Sequence, residues 1–308
     1  MKHNIKITII LLLMFLATQF IGLYVLKNNP LDIQVTSNQT MGELLDYEAP
    51  ETTNEYAQVF QGIIIAFVIA IGLLLLLTHF KVEFLLKIWF LLVVIIALCF
   101  SFLAIQESLP ILITMKTALI IALGLSIPLA IVKIYGQNFL IHNLTELFIY
   151  PGIAVIFVPL LNIWTIIALL ILISLYDMWA VWKSKIMQKM AKFQIDKLKV
   201  FSGFFVPYIS KKTRQKLRKL KKSELKKKRV KANVAILGGG DVIFPMITAG
   251  VMMKTFPTTI IPAILVIFGA LLGLGFLFFF AKKKKFYPAM PYISTGIFIA
   301  IGLSYLIF

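Results

Sequence analysis

The chain has 308 residues, of which 60% are hydrophobic and only 14% charged, and its mean hydropathy is +0.94. A water-soluble globule of that composition would lack polar surface, whereas a bilayer span uses about 20 apolar residues and suits it. The formal net charge is +18, from 31 Lys and Arg against 13 Asp and Glu. The single cysteine, Cys99, lies in an apolar run, and His3, His79 and His142 stand at no ligand spacing. Neither a disulfide framework, a metal site nor a cofactor is expected.

Apolar runs fall at 7–26, 58–78, 84–105, 117–135, 139–160, 162–182, 233–253, 258–281 and 287–307. Each is long enough to cross a membrane, so the expected fold is an all-α polytopic membrane protein with nine transmembrane helices. The first run follows Lys2 and Lys6 but is too long for a signal peptide and has no small-residue cleavage site after it, so it reads as a retained span. Pro159 and Asn162 divide the stretch from 139 to 182 into two spans joined by a tight turn.

Lysine and arginine accumulate in cytoplasmic loops, so their distribution orients the chain. With the N-terminus inside, the inner segments carry all basic residues except Lys27, Lys116 and Lys254. Nine spans then place the C-terminus outside. The outer loop after Lys27 is acidic, with Asp32, Glu43, Asp46, Glu48, Glu51 and Glu55. It also contains the triplet Asn38-Gln39-Thr40, a glycosylation sequon, to which little weight attaches because such triplets are common.

The charge belongs mainly to one inner loop. Residues 183–231 hold 19 basic residues against Asp196 and Glu224, leaving the rest of the chain nearly neutral. Ile186, Met190 and Phe193 recur at helical spacing among lysines, the pattern of a helix lying in the headgroup plane. Val200 to Tyr208 is too short and broken to span and is expected against the membrane or the protein's own cytoplasmic face. The tract from Lys211 to Lys231 reads as solvated and drawn to anionic lipid. It lacks interleaved aromatics and a binding fold, so nucleic acid is not expected as a partner. The expected organisation is an N-terminal bundle over 1–182, the basic loop over 183–232 and a C-terminal group of spans over 233–308.

Two acids, Asp177 and Asp241, are read as lying well within spans. Burying a carboxylate in hydrocarbon costs several kcal/mol unless it is neutral, paired or wet, so such residues mark function by default. They fall at similar depth in the inner half of consecutive antiparallel spans and are expected to meet. Close carboxylates share a proton. Such a pair can activate water and support the carbonyl of an amide under attack. Gly238, Gly239 and Gly240 precede Asp241; read as helical, they weaken the span and admit another backbone. Tyr176, beside Asp177, is a candidate hydrogen-bond partner for substrate or carboxylate. Pro288 and Pro291 flank Ala289 and Met290 at the start of the last span, resisting helix and exposing backbone on which an extended peptide can dock.

Tyr176-Asp177 with Ala180-Val181 resembles the YDxxAV element of presenilin-type GxGD intramembrane aspartyl proteases, and Gly238-Gly239-Gly240-Asp241 is similar to their second-aspartate motif. Pro288-Ala289-Met290 stands where that family has Pro-Ala-Leu. The resemblance implies an aspartic endopeptidase that cuts within transmembrane segments, with Asp177 and Asp241 catalytic and Tyr176, Gly238, Gly239, Gly240, Pro288, Ala289 and Met290 positioning substrate. The inside N-terminus matches presenilins rather than signal peptide peptidases, which implies transmembrane substrates with their N-terminus outside and a cell-membrane location. Residues 200–208 lie where presenilins are cut during activation. Two other readings accommodate buried acids. A prepilin-type leader peptidase has fewer spans, and a proton- or cation-coupled transporter commonly shows paired broken helices, of which this chain has one.

Overall fold

The computed structural model describes residues 5–29, 31, 34–36, 39–40, 49–79, 83–108, 114–136, 138–184, 202–208, 233–281 and 287–308. Among them are nine α-helices: α1 (Ile5–Lys27), α2 (Thr53–His79), α3 (Glu83–Glu107), α4 (Met115–Tyr135), α5 (Phe139–Leu160), α6 (Ile163–Trp179), α7 (Gly239–Thr255), α8 (Ile261–Phe280) and α9 (Met290–Ile307). A short ladder, β1 (Gln34–Thr36) with β2 (Gln39–Thr40), and an antiparallel pair, β3 (Gly203–Tyr208) with β4 (Asn233–Gly238), complete the described elements. The fold is thus mostly helical rather than purely so.

Among the described residues, eight helices are long and apolar enough to cross a membrane. The seventh expected span, 233–253, is redrawn by the structure. Its first six residues form β4 and only then does α7 begin, 17 residues long. Gly238 is the N-cap of α7 with extended backbone, so the glycine run marks a strand-to-helix junction rather than a weakened mid-helix. Asp241 accordingly lies in the first turn of α7. The divide at 160–162 is as expected. Asn162 caps α6 in a reciprocal box, its side chain accepting from the Thr165 amide at 2.9 Å while Thr165 Oγ1 accepts from the Asn162 amide at 2.8 Å.

The central element is α7, buried without interruption from Pro245 to Met252. It packs on α1, α5, α6, α8 and α9, and these helices with β3 and β4 share one apolar core. A second cluster joins α3, α4 and α5 through Val94, Leu98, Ala130 and Ile149. By contrast, α2 buries none of its described side chains and touches α3, α5 and α6 only sparsely. Lys254 at the end of α7 helps hold the start of α2, with Nζ 2.6 Å from Tyr56 Oη and 3.0 Å from Pro159 O.

Residues 203–208 lie against the protein's own bundle, one of the two settings expected for that stretch. They pair with β4 and pack on α5 and α1. All but the first two residues of the headgroup helix expected at 183–199, the basic tract at 211–231, Asn38 of the sequon and most of the acidic loop expected outside lie outside the described residues.

Candidate active site

Asp177 ends the buried face of α6 and is 7% exposed. The chain continues into one π-helical turn, Ala180–Ser184, with Ala180 and Val181 buried. The Asp177 carboxylate accepts the Met290 amide at 3.0 Å, and the Ala289 amide lies beside it. Met290 is the first residue of α9 and Ala289 its N-cap, so the acid caps the orphan amides of that helix. One turn away, Ser174 donates to Ser294 at 2.9 Å, stapling α6 to α9. The Pro288-Ala289-Met290 segment therefore meets Asp177 directly, and the Met290 amide that the sequence left free for substrate is used inside the protein.

The second acid is presented differently. Asp241 is half-buried, and a Cβ added at Gly238 would stand 3.3 Å from its Oδ2. Gly239 faces Tyr150 and Ser202: a Cβ there would fall 2.9 Å from Tyr150 Oη and 2.6 Å from Ser202 Oγ. Gly240 is exposed. From α1, Gln19 donates to Val242 O at 2.8 Å and fixes the turn that follows Asp241. The helices α6 and α7 are in contact, and α9 touches both.

Tyr176 packs its ring edge-on against Phe67 of α2, with centroids 6.2 Å apart, and beside Trp179 at 6.2 Å. Its observed contacts are thus aromatic, and they join the acid-bearing end of α6 to the sparsely packed α2.

One acid inside a candidate span was not anticipated from the sequence. Glu146, in α5, is 1% exposed and accepts from Lys133 Nζ of α4 at 2.5 Å. His142 stands nearby, its Nε2 3.7 Å from Glu146 Oε1. The reading that only Asp177 and Asp241 are intramembrane acids is therefore corrected. The missed signal was a lysine and a glutamate, 13 residues apart, inside neighbouring apolar runs. Tyr150, one turn on from Glu146 and 1% exposed, lies within electrostatic reach of both Glu146 and Asp241. Gln19, Tyr150 and Ser202 carry no motif, and only their proximity distinguishes them.

The mostly helical bundle is also the architecture found by structural comparison. The chain is similar to a solved structure of a presenilin family intramembrane aspartate protease in a C222 crystal form, with a TM-score of 0.60 and 17% identity over 98% of this chain and 99% of that one. A P2 crystal form of a presenilin family intramembrane aspartate protease matches with a TM-score of 0.54 and 17% identity over 97% of each chain. At that identity the likeness establishes the fold. Among curated proteins none matches the sequence significantly. The family model for signal-peptide peptidase, presenilin aspartyl protease, matches residues 21–308. The protein belongs to this family and is a multi-pass membrane hydrolase of the aspartyl protease class.

Proposed function

We propose that the protein is an intramembrane endopeptidase whose catalytic dyad is Asp177 and Asp241. The observation that carries this reading is the docking of Asp177 onto the first amide of α9, at 3.0 Å, in a family of aspartyl proteases. An acid held by a neighbouring helix start has a fixed orientation, which general acid–base work requires. The ionised member of the pair takes a proton from water as its oxygen attacks the scissile carbonyl carbon. The protonated member donates to the carbonyl oxygen. When the tetrahedral adduct collapses, the C–N bond breaks and the amine leaves with a proton from the dyad. The titration belongs to the pair, so the two parts are not divided between the residues.

The strand pair suggests how a helical substrate is opened. His142 and Asn143 take the backbone groups of Gly203 and Phe205. In an antiparallel ladder alternate residues face opposite sides. The even-numbered residues of β3 therefore bond β4, and Val234, Ile236 and Gly238 turn their backbone to the far edge. Among the described residues that edge has no partner strand. An extended segment added there would run toward Asp241, three residues beyond Gly238. Pro288, Ala289 and Met290 would border the same peptide from the Asp177 side.

In this reading the N-terminus is cytoplasmic and the C-terminus outside, the protein sits in the cell membrane, and the basic loop at 183–231 rests on anionic lipid. Substrates are transmembrane segments with their N-terminus outside. The test is cleavage of such a segment by purified protein in liposomes, alongside Asp177→Asn and Asp241→Asn. Both variants are expected to be inactive while unfolding at the parent temperature. Activity surviving in either one refutes the dyad.

A further inference from the structure

The outer edge of β3 is closed by side chains rather than by a strand. Asn143 Oδ1 accepts the Phe205 amide at 2.9 Å and Asn143 Nδ2 donates to Phe205 O at 2.8 Å, the two-bond exchange that a paired strand residue would make. One residue earlier on α5, His142 Nε2 lies 2.8 Å from Gly203 O. A carbonyl there requires a proton on Nε2, and Nδ1, 3.4 Å from Lys133 Nζ, is the matching acceptor. The imidazole also rests on the Phe205 ring, centroids 4.8 Å apart, and Phe139 meets that ring edge-on at 6.2 Å. The next outward-facing position on β3 is Pro207, opposite Val234, and proline has no amide to offer.

We propose that His142 and Asn143 are positioning residues that act as a surrogate third strand: they occupy β3, leave the β4 side as the open edge of this pair among the described residues, and so set which peptide bond reaches Asp241. This rests on the reading of Asp241 as catalytic and of β4 as the docking edge. Two consecutive positions of one helix point to the same strand because Gly203 and Phe205 are two apart and share a side of the ladder. Behind them, the Lys133–Glu146 pair at 2.5 Å ties α5 to α4, so the clamp is mounted on a fixed support. Without it β3 would keep its bonds to β4 but lose its outer anchor, and the pair could shift relative to the aspartate.

The experiment uses the full chain in liposomes, a single transmembrane peptide and mass spectrometry of the products, with Asn143→Ala, Asn143→Asp and Asp241→Asn. In Asn143→Ala the cleavage sites are expected to spread to neighbouring bonds, kcat/KM to fall about tenfold and the Phe205 amide to exchange about tenfold faster, as befits the loss of two hydrogen bonds. Asn143→Asp keeps the acceptor for the Phe205 amide and is expected to spread the sites less. An unchanged product pattern in Asn143→Ala overturns the proposal whether or not its rate or stability falls. Should that variant not fold, an unchanged pattern in Asn143→Asp, which loses the donor to Phe205 O, overturns it equally. A parent that cuts and an Asp241→Asn variant that does not leave the proteolytic reading standing in either case, whereas a parent that fails to cut overturns both.

Discussion

Replacing Glu146 alone should be among the most destabilising single changes in the bundle. Its carboxylate and the Lys133 ammonium are 1% and 4% exposed and 2.5 Å apart, so neither charge has water to fall back on. Glu146→Leu leaves the ammonium buried beside His142 at 3.4 Å. Removing one partner of a buried pair costs about 3–5 kcal/mol, because the surviving charge keeps its desolvation penalty and loses its compensation. Lys133→Met should cost a similar amount, since it leaves the Glu146 carboxylate buried without its cation. The double variant Lys133→Met/Glu146→Leu removes both charges and supplies apolar volume. It should therefore lie near the parent or above it, by up to about 4 kcal/mol. Each kcal/mol moves the midpoint by about 2–4 °C in a chain of this size class, so the single variants should lose on the order of 10 °C while the double variant recovers. Thermal unfolding of all four proteins in one detergent, followed by tryptophan fluorescence, reads the cycle directly. Single variants within about 1 °C of the parent, or a double variant as unstable as the two losses summed, would refute the reasoning.

Met290→Pro removes the amide that Asp177 accepts at 3.0 Å, and a hydrogen bond to a charged group is worth about 1.5–3 kcal/mol. Its kcat should fall about 10- to 100-fold, while Met290→Leu, which keeps the amide and a similar volume, stays within about threefold; equal rates in the two would remove the Met290 contact from the account. Asn162→Ala deletes the α6 cap and should lower stability by about 1 kcal/mol, seen as a midpoint about 2–4 °C lower with cleavage unchanged. Lys254→Met frees the N-terminal end of α2 by removing the contacts to Tyr56 Oη and Pro159 O. Hydrogen exchange near Thr53 to Ala57 should quicken about fivefold, and no change would show that α2 is held elsewhere.

Some of this architecture is legible in the sequence. Eight of the nine apolar runs are candidate spans, and the turn at Asn162 stands where proline and asparagine interrupt the run. The acid-bearing segments were also visible, because an aspartate among leucines is costly enough to be conspicuous. The strand at 233–238 was not. Its residues alternate between exposed and buried from Val234 to Leu237, but all four are apolar, so the twofold period leaves no trace in composition. Only the glycines that follow hint at a junction. Glu146 was hidden for another reason: its cost is cancelled by Lys133, a partner on a different helix that no local window contains.

Composition and short local patterns were enough for the apolar solvent, eight of the spans and the family. The tertiary structure decided how the acids are held. Asp177 is tied to the first amide of a helix 113 residues later, and Asp241 begins a helix whose preceding strand is held through β3 by α5. Hydrogen bonds of that kind are made between groups remote in the chain. Their partners are selected by packing, and packing exists only once the helices have met.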